Sequence, residues 1–120
     1  MNIYELHHVQ MAMPKDREQE ARNFYAKTLG FQEIRKPENL RARGGCWFDL
    51  GNIKLHLGVQ TPFIAATKAH PAFLVRDLDS ITKAIVGNGY EITSDLPLEG
   101  FRRAYVADPF GNRIELMQRT

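Results

Sequence analysis

The chain has 120 residues, 43% of them apolar and 25% charged, with a formal net charge of +2. That length gives a single domain room for a core, and a near-neutral charge without blocks of one sign excludes an extended nucleic-acid track. One cysteine, Cys46, excludes an intrachain disulfide and Cys-based zinc clusters, and no apolar run reaches membrane-spanning length. The first five residues carry neither the basic nor the apolar region of a signal peptide, so a cytoplasmic, reducing compartment is expected, with Cys46 serving as packing.

The pattern predicts a first strand over residues 5–13, stopped by Pro14. Asp16 and Gln19 have the spacing of a capping box. Ala21, Phe24, Tyr25 and Leu29 recur at helical spacing, and Gly30 is placed to end the helix as a left-handed cap. A short strand follows over 31–35, then a polar loop over 36–45 that contains Pro37 and the Gly44-Gly45 pair. Strands over 46–50 and 53–59 are joined at Gly51-Asn52, a hairpin signal. Residues 60–68 show no period and read as a linker.

The second half predicts a strand over 70–75, with Asp77 capping a helix that carries Leu78, Ile81, Ala84 and Ile85 and closes near Gly87 or Gly89. Further strands are expected over 90–93, 101–107 and 113–118. Each half thus reads strand, helix, strand, strand, strand. His8 and His70, Gly30 and Gly89, and Gly51 and Gly111 recur at an offset of about sixty residues, the mark of an internal repeat. The expected fold is α+β, two tandem βαβββ units (1–60 and 69–120) in one domain over 1–120, with a cleft lined by mixed sheets.

Asp108-Pro109-Phe110-Gly111-Asn112 is turn chemistry. Beyond it Ile114 and Leu116 alternate with Arg113, Glu115 and Met117. A mid-strand carboxylate opposite the aliphatic face either meets solvent or binds something. His8 and His70 each open an apolar run, and two imidazoles with one carboxylate are a ligand set for a divalent metal with open positions.

These features resemble the vicinal oxygen chelate superfamily: repeated βαβββ units, first-strand histidines, Phe24-Tyr25 before Leu29-Gly30-Phe31, and the Asp108 to Glu115 stretch. That group includes glyoxalase I, fosfomycin-resistance enzymes, extradiol dioxygenases and bleomycin-resistance proteins. The resemblance implies a metal held by His8, His70 and Glu115. His56 is a fourth candidate, although aligning Gly51 with Gly111 puts Leu55 opposite Glu115. His7 is expected on the helix-packed face.

By strand alternation Trp47 and Asp49 share one face, and Phe101, Arg103 and Tyr105 another. Arg103 is then a clamp for an anion or carbonyl and Tyr105 a hydrogen-bond donor, with Trp47 and Phe101 as walls. The lysine and serine that bind phosphonate in fosfomycin-resistance enzymes align with Asp95 and Glu99, so fosfomycin is not the expected substrate.

The expected function is that of a small metalloenzyme with lyase, isomerase or dioxygenase-type chemistry. Its divalent ion (Fe, Mn, Ni, Co or Zn) would polarise vicinal oxygens of an oxygen-rich substrate, with Glu115, Tyr105 and Arg103 as catalytic residues. The alternative is a metal-free bleomycin-resistance-like protein that sequesters a small molecule against Trp47, Phe48, Phe101 and Tyr105. Either way the expected partners are a small molecule and a second copy of the chain in a homodimer, with neither nucleic acid nor membrane.

Overall fold

A computed structural model describes residues 2–120. Two compact units divide the chain, Met1–Phe63 and Ile64–Thr120, with the irregular segment expected at 60–68 shared between them.

In the first unit, β1 (Val9–Met13), β2 (Gln32–Ile34), β3 (Cys46–Leu50) and β4 (Ile53–Val59) form a sheet of order β1-β4-β3-β2. The strand β1 runs parallel to β4, and the other neighbours are antiparallel. Met13, Phe48, Leu55 and Leu57 are buried on one face. The helix α1 (Glu18–Ala21, continuing as a π-helical stretch Arg22–Thr28) supplies the cover. Its Tyr25 ring lies 5.6 Å from that of Phe48, and both are fully buried. Burial of each such side chain stabilises by about 2 kcal/mol. The Leu29 N–H reaches the Phe24 carbonyl at 3.0 Å, five residues back. Gly30, at φ 87°, then lets the Phe31 N–H close on the Tyr25 carbonyl at 2.9 Å.

Two local expectations fail here. Asp16 has φ 62°, left-handed rather than the extended geometry an N-cap needs, so the capping box with Gln19 does not form. The Gln19 amide instead donates to Asn23 Oδ1 at 3.0 Å. The first strand starts at Val9, not residue 5. Val9 pairs with Leu55, and only Ile53 and Lys54 of β4 precede that position before the Gly51-Asn52 turn, so residues 2–6 have nothing to pair with there. The polar loop contains a 3-10 turn, Glu38–Arg43.

The second unit repeats the plan with β5 (Ala72–Leu74), β6 (Ile92–Thr93), β7 (Phe101–Ala107) and β8 (Arg113–Arg119) in the order β5-β8-β7-β6. Ala104, Val106, Ile114 and Leu116 are buried on one face. The helix α2 (Leu78–Gly87) buries Leu78 and Ile85. Asp77 Oδ1 accepts the Ser80 N–H at 3.0 Å, the cap read from the sequence. No helix among the described residues is long and apolar enough to cross a membrane.

Candidate functional site

The hairpin between β7 and β8 is built by Asp108. Its Oδ1 accepts the Phe110 and Asn112 N–H groups at 2.9 and 2.8 Å, and its Oδ2 accepts from Asn112 Nδ2 at 2.9 Å. Gly111 takes φ 92°, where a side chain would be strained. This buried turn makes Ala107 face Arg113 and fixes the register down the ladder to Tyr105 opposite Glu115. Much of the Asp108 to Glu115 stretch is therefore positioning machinery, with Glu115 as its product.

Register puts Phe101, Arg103, Tyr105, Arg113, Glu115 and Arg119 on the face of the second sheet opposite Ile114 and Leu116. Glu115 is 6% exposed, and both its oxygens are engaged. His70 Nε2 lies 3.0 Å from Oε1, and Arg103 Nη1 donates to Oε2 at 3.2 Å. Burial raises the Glu115 pKa, but the hydrogen bonds from Arg103 and His70 outweigh it, and the net shift is downward, so the group is a carboxylate at neutral pH.

Arg103 also donates to the Tyr105 hydroxyl at 3.1 Å and to the Leu96 carbonyl at 2.6 Å. Tyr105 meets His70 edge-on at 5.1 Å between centroids. Arg113, which alternation puts on the Glu115 face but which is not among the expected site residues, stands over the Tyr105 ring at 4.5 Å. Phe101 lies at the end of this face, with the Arg119 guanidinium 5.6 Å from its ring centre.

The first sheet has a different equipment. His56 is 5% exposed and lies on the face opposite Leu55 and Leu57, paired with Gln10 on one side and Trp47 on the other. Its ring is sandwiched, 4.0 Å from Trp47 at 3° and 4.3 Å from His8 at 19°. Burial, then the neighbouring His8 and His7, push its pKa down to about 4, so the imidazole is neutral and its lone pair is available.

His8 is exposed, just ahead of β1, with its Nδ1 2.9 Å from that of His7. His7 is exposed too, and does not pack under the helix as expected, because it precedes the paired part of the strand. Phe48, proposed as a cleft wall, is fully buried on the opposite face from Trp47. Cys46 is buried, and its thiol is pushed up to about 12, which removes it as a nucleophile.

Register resolves the His56 ambiguity. Glu115 pairs with Ala72, two residues after His70, and with Tyr105. His56 pairs with Gln10, two residues after His8, and with Trp47. His56 and Glu115 are thus equivalent, as are His8 and His70, and Trp47 and Tyr105. Gly51 and Gly111 are misleading anchors because the hairpins differ in length. Leu50 pairs directly with Ile53 across two turn residues, whereas Ala107 pairs with Arg113 across five.

Each unit carries side chains of a chemistry that suits divalent ions: the neutral imidazole of His56 in one, the imidazole of His70 and the ionised carboxylate of Glu115 in the other. Among the described residues, no group of three or more His, Cys, Asp or Glu side chains is arranged to hold a metal ion. Each face also keeps one buried polar atom without a partner among the described residues, Asp49 Oδ1 in the first and Arg103 Nε in the second.

A crystal structure of a glyoxalase family protein from Bacillus anthracis is 46% identical, with a TM-score of 0.95 and coverage of 100% of this chain and 98% of that one. TnmS3, an antibiotic binding protein from Streptomyces sp. CB03234, shares 21% identity at a TM-score of 0.76, covering 100% and 99%. The fosfomycin resistance protein FosX from Listeria monocytogenes shares 20% at 0.78, covering 98% and 95%. These last two share the fold. No functionally curated protein matches the sequence. The family model of the Glyoxalase/Bleomycin resistance protein/Dioxygenase superfamily matches residues 5–116, and the chain belongs to that superfamily.

Proposed function

We propose that the protein is a small metalloenzyme acting on an oxygen-rich or anionic small molecule, with His8, His70, Glu115 and His56 as ligands of a divalent ion. The register equivalence of His56 and Glu115, each paired with the second residue after its first-strand histidine, carries this reading. When bound, the ion would act as a Lewis acid on substrate oxygens. Tyr105 would hold a substrate oxygen through its hydroxyl, and Arg103 would offer its guanidinium to an anion or carbonyl. Trp47 and Phe101 would bound the substrate with apolar surface. The chain would work as a homodimer, a reading supported by the exposed Ile3, Tyr4 and Leu6 (91%, 93% and 75%).

A second reading is sequestration of a small molecule without metal; TnmS3, which shares the fold, is an antibiotic binding protein. One observation favours it: Glu115 already has a cationic partner in Arg103 at 3.2 Å. The two readings part on thermal stability. Chelated protein should melt higher after addition of Mn, Ni, Co or Zn ions, by mass action on the folded state. No shift with any of these ions would leave the sequestering role.

A further inference from the structure

The first unit contains a cavity of about 140 Å³ that the metal reading does not use. The turn at Glu38–Arg43 and the glycine pair after it close this cavity against β1, β3 and β4. It is lined by Leu40, Leu57, Val59 and Trp47 together with Gln10, Lys36 and Arg43. No carboxylate lines it. Glu18, the acid beside the glycine pair, is engaged by the Gly45 N–H at 3.4 Å.

Three glycines make this space. Gly44 and Gly45 have φ of 74° and 79°, where a side chain is strained. A Cβ at Gly45 would also run into the Leu57 carbonyl, and one at Gly44 would come within 3.0 Å of Val59. The loop can lie this close to β4 only without side chains. At Gly58 a Cβ would stand 2.5 Å from the Gln10 amide nitrogen, so glycine there leaves room for that amide at the cavity wall.

The donors are available. Lys36 Nζ gives one hydrogen to the Gly44 carbonyl, which fixes the stem and leaves two. Arg43 is exposed and makes no hydrogen bond or ion pair among the described residues, so its planar fork is open to a carboxylate. A water occupies about 30 Å³ in the liquid, so 140 Å³ admits roughly four or five non-hydrogen atoms. That is the size of a carboxylate on a short carbon stem.

We infer that this cavity is a subsite for the carboxylate end of a small molecule, bound by Lys36, Arg43 and the Gln10 amide with its stem against Trp47. Trp47 is both the wall of the cavity and the outer ring of the stack on His56, so the subsite adjoins the proposed site while standing on the first unit's own residues.

Trp47 is the chain's one tryptophan, so its fluorescence reports directly on occupancy. Chelated protein is titrated with propionate and, separately, with its neutral isostere propionamide. A saturable change with propionate alone is expected. Arg43→Gln should weaken it at least tenfold, Lys36→Met comparably, and Arg35→Met, outside the lining, should leave it unchanged. Arg43→Gln alters an exposed side chain, so it remains informative if Lys36→Met disturbs the loop. Equal responses to the two compounds, non-saturating quenching, or unaltered affinity in Arg43→Gln would overturn the assignment. Chelation keeps the test independent of any bound ion.

Discussion

The two sheets share a topology and a register yet present opposite chemistries on their open faces. The first stacks three rings, His8 on His56 on Trp47. At the equivalent positions the second places His70, Glu115 and Tyr105, with Glu115 held by Arg103. The repeated framework thus carries His56 in one unit and Glu115 at the equivalent position of the other.

The faces should also titrate in separate windows. His56 is held neutral by the fold, so the unfolded chain takes up the proton first. Its contribution is whole above pH 6.5 and lost as pH falls toward about 4, a loss on the order of 3 kcal/mol. Glu115 is held ionised below the ordinary value of 4.5, so its contribution is whole above that pH and lost as pH falls through the lower native value. Denaturant melts of chelated protein should show the first loss before the second, and His56→Gln should remove only the first. A stability that is flat between pH 6.5 and 4 in the wild type would refute the buried neutral imidazole.

A smaller effect should separate Arg103 from its counterpart face. Because Arg103 is tied to Glu115, Tyr105 and Leu96, Arg103→Met should lower Tm by several degrees, leaving a buried carboxylate without its cation. Lys54→Met in the first unit removes only a 3.4 Å pair with Asp49 on a half-exposed strand and should leave Tm nearly unchanged. Equal melting of the two variants would show that the Arg103 ion pair is loose in solution.

The helices give the smallest contrast. Asp77→Ala should cost about 1 kcal/mol through the lost cap on α2. In the first unit Asp16 caps nothing and sits at φ 62°, so Asp16→Gly should stabilise by about 0.5 kcal/mol. A loss on Asp16→Gly in chemical denaturation would restore the capping role read from the sequence.

These two aspartates show what a sequence can carry. Asp77 precedes a helix with clear apolar spacing, and its cap is a local event, legible in four residues. The Asp16-Gln19 spacing is equally good, but the chain's path out of β1 sets a left-handed turn that spacing does not encode. The succession of elements along the chain, the hairpins and the repeat were likewise legible because period-two alternation and glycine placement are local. His56 was not, since its face depends on loop length and pairing register, and these are fixed by partners far along the chain. The Arg103–Glu115 pair escaped for the same reason: alternation puts both on one face but says nothing of which group holds which.

The proposed role of Glu115 is that of a metal ligand. Its most direct test is metal content by mass spectrometry of wild type and Glu115→Gln, both purified without chelator and then equilibrated with the same divalent ion. The substitution keeps the shape and removes the charge that a cation requires. Glu115→Gln should hold at least tenfold less metal than the wild type at subsaturating ion, with the fold retained. Equal content in the two proteins would contradict it and assign Glu115 to the Arg103 ion pair alone.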